Sequence, residues 1–143
     1  MLIVHILKDK GEYVHTLSGE ASLEEAAREL TARKVGAVVV IDEKGALAGV
    51  LSERDIVREV AKSGAGALQK KVSSAMTKAV ITAAPEESVE EGLARMTDRR
   101  VRHLPVLAQG RLVGIVSIGD LVKRKIEEAE KDAAAMRDYI AAG

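Results

Sequence analysis

Apolar and polar positions follow two rhythms along this chain, and each rhythm occurs twice. After Ser22, the residues Leu23, Ala26, Ala27 and Leu30 recur at helical spacing; after Ser88, Val89, Leu93 and Met96 do the same. Residues three and four apart share one face of a helix, so both stretches predict amphipathic helices. Each is followed by a short apolar run, Ala37 to Ile41 and Leu104 to Leu107, then a Gly-containing turn, then a second run, Leu47 to Leu51 and Leu112 to Val116. Short branched-aliphatic runs bounded by turn residues predict strands. Val38-Val39-Val40-Ile41 has no polar alternation, which predicts a strand covered on both faces. Pro105 has no N–H to give to a ladder, which predicts an edge or a bulge there. A further helix is expected from about Arg54 to Lys62, and its counterpart from about Gly119 onward. Ser63-Gly64-Ala65-Gly66 reads as a link, and Leu68 to Met76 as a short extra helix.

The two rhythms are one unit repeated. Ser22-Leu23-Glu24-Glu25 returns as Ser88-Val89-Glu90-Glu91, and Ser52-Glu53-Arg54-Asp55 returns as Ser117-Ile118-Gly119-Asp120. One residue is lost between them, where Asp42-Glu43-Lys44-Gly45 becomes Ala108-Gln109-Gly110. Two copies are too few for a solenoid. They suit an α+β fold of two halves related by a pseudo-two-fold axis, expected at 1–66 and 67–126, with residues 127–143 as a helical extension. In that extension Val122, Ile126, Ala129, Ala133, Met136 and Ile140 are spaced four, three, four, three, four, which is the seam of a coiled coil. The seam packs on its own domain or on a second copy of the chain.

Composition narrows the chemistry. The 143 residues hold two Tyr, no Phe and no Trp, so the core must be aliphatic, and the aromatic platforms that stack single-stranded bases are missing. With 22 basic and 22 acidic residues the net charge is zero, which offers no polyanion-binding surface. Cysteine is absent, which excludes disulfides, thiolate metal sites and cysteine catalysis. The apolar start Met1 to Leu7 is too short for a signal peptide, and no run reaches the roughly 18 residues needed to span a bilayer. The expectation is a soluble, cytoplasmic protein.

Ser-x-x-acid before a helix has a plain reading: Ser caps the helix and the acid reaches back to the Ser N–H. Ser22/Glu25 and Ser88/Glu91 use Glu, whose length suits that bond. Ser52/Asp55 and Ser117/Asp120 use Asp, one methylene shorter, at equivalent strand-to-helix junctions. A carboxylate accepts from two donors at once, which matches a vicinal diol such as ribose. A helix N-terminus and nearby Arg or Ser attract phosphate. Capping and ribonucleotide binding both remain open on these residues alone.

The two copies resemble cystathionine-β-synthase (CBS) domains in a tandem pair, the Bateman module. The resemblance rests on Leu112-Val113-Gly114-Ile115-Val116-Ser117-Ile118-Gly119-Asp120 and Leu47-Ala48-Gly49-Val50-Leu51-Ser52-Glu53-Arg54-Asp55, on Val101-Arg102-His103-Leu104-Pro105-Val106, and on Met76-Thr77 with Pro85. It covers about residues 2 to 126 and is similar to small stand-alone prokaryotic forms. It implies repeats of order β-α-β-β-α and adenosine ligands held in clefts between them. One cleft would combine Ser52, Arg54 and Asp55 with Val80, Ile81, Thr82, Val101, Arg102 and His103. The other would combine Ser117, Gly119 and Asp120 with Val14, His15, Thr16, Gly36 and Ala37. Arg54, Arg102 and His103 fall in the first, so the first is expected to bind phosphate more tightly and the second to be short of cations.

The resemblance implies a regulatory module that senses AMP, ADP, ATP or NAD(H), with no catalytic cofactor, a homodimer, and an effector protein acted on in trans. S-adenosylmethionine is a further candidate ligand. The alternatives are a nucleotide-processing enzyme and a nucleic-acid-associated scaffold. His5, His15 and His103 have no metal-ligand spacing, and no Walker loop or nucleophile elbow is present.

Overall fold

The computed structural model describes residues 1–11 and 14–142. Their elements are α1 (Ile3–Lys10), β1 (Thr16–Ser18), α2 (Leu23–Arg33), β2 (Ala37–Ile41), β3 (Leu47–Ser52), α3 (Glu53–Ser63), a 3-10 helix (Gly64–Gln69), α4 (Val72–Ala75), α5 (Val89–Arg99), β4 (His103–Ala108), β5 (Arg111–Ser117) and α6 (Ile118–Ala142). They pack as two compact units. One, here the Asp55 unit, is Tyr13–Ile81 with Gln109–Val113; the other, the Asp120 unit, is Met1–Glu12, Thr82–Ala108 and Gly114–Gly143.

In the Asp55 unit β1 runs parallel to β2, Thr16 beside Val39, and β2 runs antiparallel to β3, Ala37 beside Ser52. Val38 and Val40 share one face of β2, and they pack with Leu51 against Leu23, Ala26 and Leu30 of α2, Ile56 of α3 and Val72 of α4. Val39, on the other face, is also fully buried. The unbroken valine run is therefore covered on both sides, as its pattern predicts. In the Asp120 unit the buried hydrophobic set is Ile3, Ile6, Ala83, Val89, Met96, Leu104, Val106, Val116 and Leu121. Gly92 lets α5 come close: a Cβ there would stand 3.0 Å from Leu121 and 3.4 Å from Ile3.

Capping explains where the helices begin and end. Ser22 and Ser88 accept from the N–H of Glu25 and Glu91. Both helices are eleven residues long and are closed by Lys34 and Arg100, each in the left-handed conformation with φ of 56°.

Three local expectations need correction. The segment Leu68 to Met76 is not one helix but the end of the 3-10 helix, an extended step at Lys70 and Lys71, and then α4. The reason lies in the backbone bonds: Lys70 O accepts the Leu23 N–H at 2.9 Å and the Val72 N–H donates to Ala21 O at 2.7 Å, so residues 70–72 pair with the start of α2. Ser63-Gly64-Ala65-Gly66 is correspondingly not an open link, since Gly64–Gln69 is helical and packs on α3. The second repeat also has no counterpart of β1. Val80 and Ile81 stay irregular, and a single parallel bridge joins Ala83 to Val106. The bonds there are Ala83 N–H to Pro105 O at 3.0 Å and Leu107 N–H to Ala83 O at 2.9 Å. The ladder stops because its neighbours are engaged elsewhere: Thr82 O accepts from Arg95, Ala84 N–H donates to Glu87, and Pro85 has no N–H.

Helix α1 was not anticipated. It buries Ile3 and Ile6, sets Leu7 over Gly114 of β5 and pairs Asp9 with Arg124 of α6. In the Asp55 unit the matching glycine, Gly49 of β3, is covered by Met76 and Thr77: a Cβ there would stand 2.7 Å from the Met76 sulfur and 2.8 Å from Thr77 O. Both glycines thus serve close approach, as their place in the repeat suggests.

Candidate functional site: two strand-to-helix junctions

Each junction is built by the same backbone bonds. The first N–H of α3, Glu53, donates to Gly36 O at 2.9 Å, and the first N–H of α6, Ile118, donates to Arg102 O at 2.8 Å. The residue just before β2 or β4 and the first residue of α3 or α6 are thereby held together within each repeat. Gly36 and Ala37 stand beside Ser52, and Arg102 and His103 stand at the head of α6.

At the Asp55 junction the Ser52 N–H donates to Asp55 Oδ2 at 2.8 Å, the Ser52 hydroxyl donates to the same oxygen at 3.1 Å, and the Asp55 N–H donates to Ser52 Oγ at 3.3 Å. Arg58, one turn along α3, donates to Asp55 Oδ1 at 3.1 Å. Asp55 is only 6% exposed, the one charged side chain among the buried described residues. At the Asp120 junction the Ser117 N–H donates to Asp120 Oδ2 at 2.8 Å and the Asp120 N–H donates to Ser117 Oγ at 3.1 Å. Lys10, the last residue of α1, donates to Asp120 Oδ2 at 2.7 Å and to Ile115 O at 3.0 Å.

Two expectations are reversed. Aspartate is not the poorer capping residue here: Asp55 and Asp120 close the reciprocal bond to the Ser N–H. Ser22 and Ser88 accept from the N3 N–H, but the Glu91 carboxylate reaches only the Ser88 hydroxyl, at 3.2 Å. The glutamate-led helices have other support, because their first N–H groups, Leu23 and Val89, donate to Lys70 O and Met1 O. Nor is the Asp120 junction short of cations, since Lys10 reaches it from more than a hundred residues away. Burial by itself would raise the Asp120 carboxyl, but the Lys10 ammonium and the Ser117 N–H outweigh it and hold the group below its ordinary range.

The other anticipated residues fall around these junctions. Arg54 and Gly119 lie exposed in the first turns of α3 and α6. Thr16 is in β1, with Val14 and His15 just before it. Val101 follows the left-handed end of α5, its N–H donating to Met96 O at 3.1 Å; Arg102 is exposed and His103 opens β4 half-buried. Val80, Ile81 and Thr82 are half-buried in an irregular segment. Within single units the structure joins Ser52 and Asp55 with Gly36 and Ala37, and Ser117 and Asp120 with Arg102. A groove of about 530 Å³ between α2 and α3 is lined by Ala27, Leu30, Val35, Ile56 and Val57 and also by Gly36 and Glu53, so it opens beside the Asp55 junction although Ser52 and Asp55 do not line it.

Sequence reasoning missed Lys10 and Arg58. Arg58 was findable, because a cation three residues after an acid on a helix meets it. Lys10 carries no such signal, since its contact is set by how α1 lies on β5.

What this geometry offers is a carboxylate fixed at the N-terminus of a helix, twice, with a cation on each. The carboxylate takes hydroxyl donors, and the helix end and cations take an anion.

Comparison with known proteins agrees with the repeat. The CBS-domain family model matches residues 11–62 and 72–127. The mitochondrial CBS domain-containing protein CBSX3 of Arabidopsis thaliana is 37% identical over 123 residues, 83% of this chain; the chain spans 60% of that protein's length. The crystal structure of the CBS-domain protein ATU1752 from Agrobacterium tumefaciens is 44% identical, with a TM-score of 0.84 over 87% of this chain and 92% of the other. The CBS domain pair of MJ0100, solved with 5'-methylthioadenosine and S-adenosyl-L-methionine, is 27% identical, with a TM-score of 0.80 over 90% of this chain and 98% of its own. Two copies of one α/β unit, each ending in a Ser-Asp junction at a helix start, therefore have an assignment: the chain belongs to the CBS-domain family and carries the domain in tandem.

Proposed function

We propose that this chain is a regulatory module, without catalysis of its own, that binds an adenine nucleotide at its Ser-x-x-Asp junctions. The observation that carries the reading is the duplicated carboxylate at a helix N-terminus, in a family whose MJ0100 member holds two adenosine compounds. The ribose diol has a fixed acceptor in Asp55 or Asp120. Its phosphate has the helix N-terminus and an exposed Arg, with AMP, ADP, ATP and NAD(H) as the candidate ligands. The contributions assigned to Val14, His15, Thr16, Val80, Ile81, Thr82, Val101, Arg102 and His103 follow the family resemblance. A ligand moves such a module only through its different affinity for two conformations, so the output passes to an effector protein in trans.

The test is mass spectrometry of small molecules that co-purify with the protein, joined to calorimetry with AMP, ADP, ATP and NAD(H). Asp55→Asn and Asp120→Asn each keep a capping acceptor but lose the charge. A nucleotide bound by the wild-type protein and weakened about tenfold in one of them is the expected result, as befits a lost charged hydrogen bond. A protein that binds none of the four contradicts the reading.

The same module acts as a homodimer in this reading. On α6, Val122, Ile126, Met136 and Ile140 are 40%, 52%, 59% and 68% exposed. A helix whose last turns leave their apolar side chains this exposed gains little from packing and is marginal in water. A second α6, lying parallel, supplies the missing face.

A further inference from the structure

The two junctions carry different cations, and the difference has a chemical consequence. Arg58 rises from α3 itself, three residues beyond Asp55, with its side chain 61% exposed. Lys10 instead arrives from a separate helix whose backbone is anchored: Ile3 and Ile6 are buried, Leu7 sits over Gly114, and Asp9 is paired with Arg124. The Lys10 ammonium is therefore kept at the junction while its flexible stem, 39% exposed on the side chain, remains able to swing. It occupies Asp120 Oδ2, on the same carboxylate that a ribose diol would use.

A ligand that takes Asp120 competes with this ammonium. An uncharged nucleoside gives Asp120 hydroxyl donors but leaves the displaced ammonium without an anionic partner. A nucleotide brings an anion of its own, so the ammonium leaves one negative partner and gains another. The net ion pairing is kept only when the ligand is anionic. Resting on the nucleotide reading above, we infer that Lys10 is the specificity-determining residue of the Asp120 junction, selecting phosphorylated over uncharged adenosine ligands by exchanging Asp120 for the ligand's phosphate.

Calorimetry with adenosine and AMP tests this, in an Asp55→Asn background so that the Asp120 junction reports. AMP is expected to bind at least about tenfold more tightly than adenosine. Adding Lys10→Met is expected to weaken AMP by about tenfold or more and to tighten adenosine, because no ammonium then competes for Asp120; Lys10→Arg keeps the preference for AMP. Opposite shifts for the two ligands are the signature, since a merely structural loss weakens both. Equal weakening of both, or no change in either, overturns the role of Lys10 and leaves the nucleotide reading standing. AMP binding to the wild-type protein but not to the Asp55→Asn protein places the ligand at Asp55 alone and also overturns it. No AMP binding to the wild-type protein removes the nucleotide reading itself, and the inference with it.

Discussion

Asp55 shows how one side chain serves two ends. Its Oδ2 closes the capping box and its Oδ1 holds Arg58, all while nearly buried. Asp55→Ala removes the acceptor for the Ser52 N–H and is expected to destabilise by about 0.5–2 kcal/mol, the range for a lost cap; Asp55→Asn retains an oxygen there and is expected to lose less. Urea unfolding of the two variants, compared at equal slope, checks the order. Arg102 tests the other end of the same chemistry. Its side chain is exposed and its carbonyl alone bonds to α6, so Arg102→Ala is expected to leave stability within about 0.5 kcal/mol. Nucleotide affinity is expected to fall by roughly 1.5–3 kcal/mol, and calorimetry beside a thermal melt separates the two. Asp120 adds a pH dependence. Its folded pKa lies below the unfolded value, so its contribution to stability is full above the ordinary aspartate pKa of about 3.9 and is lost as pH falls through the lower folded value. Lys10→Met removes the ammonium that lowers it and is expected to flatten that stretch of the acid unfolding curve.

At the scale of elements, much of the fold was legible because periodicity and capping are local. Ser22 and Ser88 marked the starts of α2 and α5, and the valine run marked β2, within a residue or so of where they lie. The long apolar seam marked α6. What was not legible is what distant backbone decides. The segment 70–72 gave up its helix to pair with the start of α2, and the second repeat lost its first strand to Arg95, Glu87 and Pro85. At the site, Ser52, Asp55, Ser117 and Asp120 were legible from the repeat, whereas Lys10 depended on the docking of α1. Two element-level substitutions follow. Lys34 and Arg100 hold left-handed helix ends without being glycine, a conformation that costs an L-residue about 1 kcal/mol. Lys34→Gly is therefore expected to raise the urea midpoint with no change in slope. Gly49→Ala meets the Thr77 carbonyl, which is fixed by its bonds with Val50, and is expected to cost roughly 1–3 kcal/mol. Gly114→Ala meets the end of the Leu7 side chain, a flexible group rather than a fixed carbonyl, so its melting temperature is expected to fall less.

For the whole molecule the open face of α6 bears the proposed homodimer, and charge is expected to select how a second copy would meet it. With Ile126, Ala133 and Ile140 at one seam position and Val122, Ala129 and Met136 at the other, the flanking residues are Lys125 and Asp132 on one side and Lys123, Glu130 and Arg137 on the other. In a parallel, unstaggered pair, Lys125 of each copy meets Glu130 of the other, and Asp132 meets Arg137, so every such contact is attractive. In a fully overlapped antiparallel pair Glu130 meets Glu130, Asp132 meets Asp132, and Lys123 meets Arg137, so these contacts repel. The chain has no cysteine, which makes a single introduced one an unambiguous reporter. Met136→Cys places two thiols on the seam of a parallel pair, within the roughly 7 Å between Cα atoms that a disulfide requires. It is expected to give a covalent dimer on mild oxidation, while Lys131→Cys, on the outward face, stays uncrosslinked. If instead only the double change Ile126→Cys with Met136→Cys crosslinks, the helices run antiparallel and the charge argument fails. If neither crosslinks, the seam does not meet its own copy, and the dimer assigned to it is wrong.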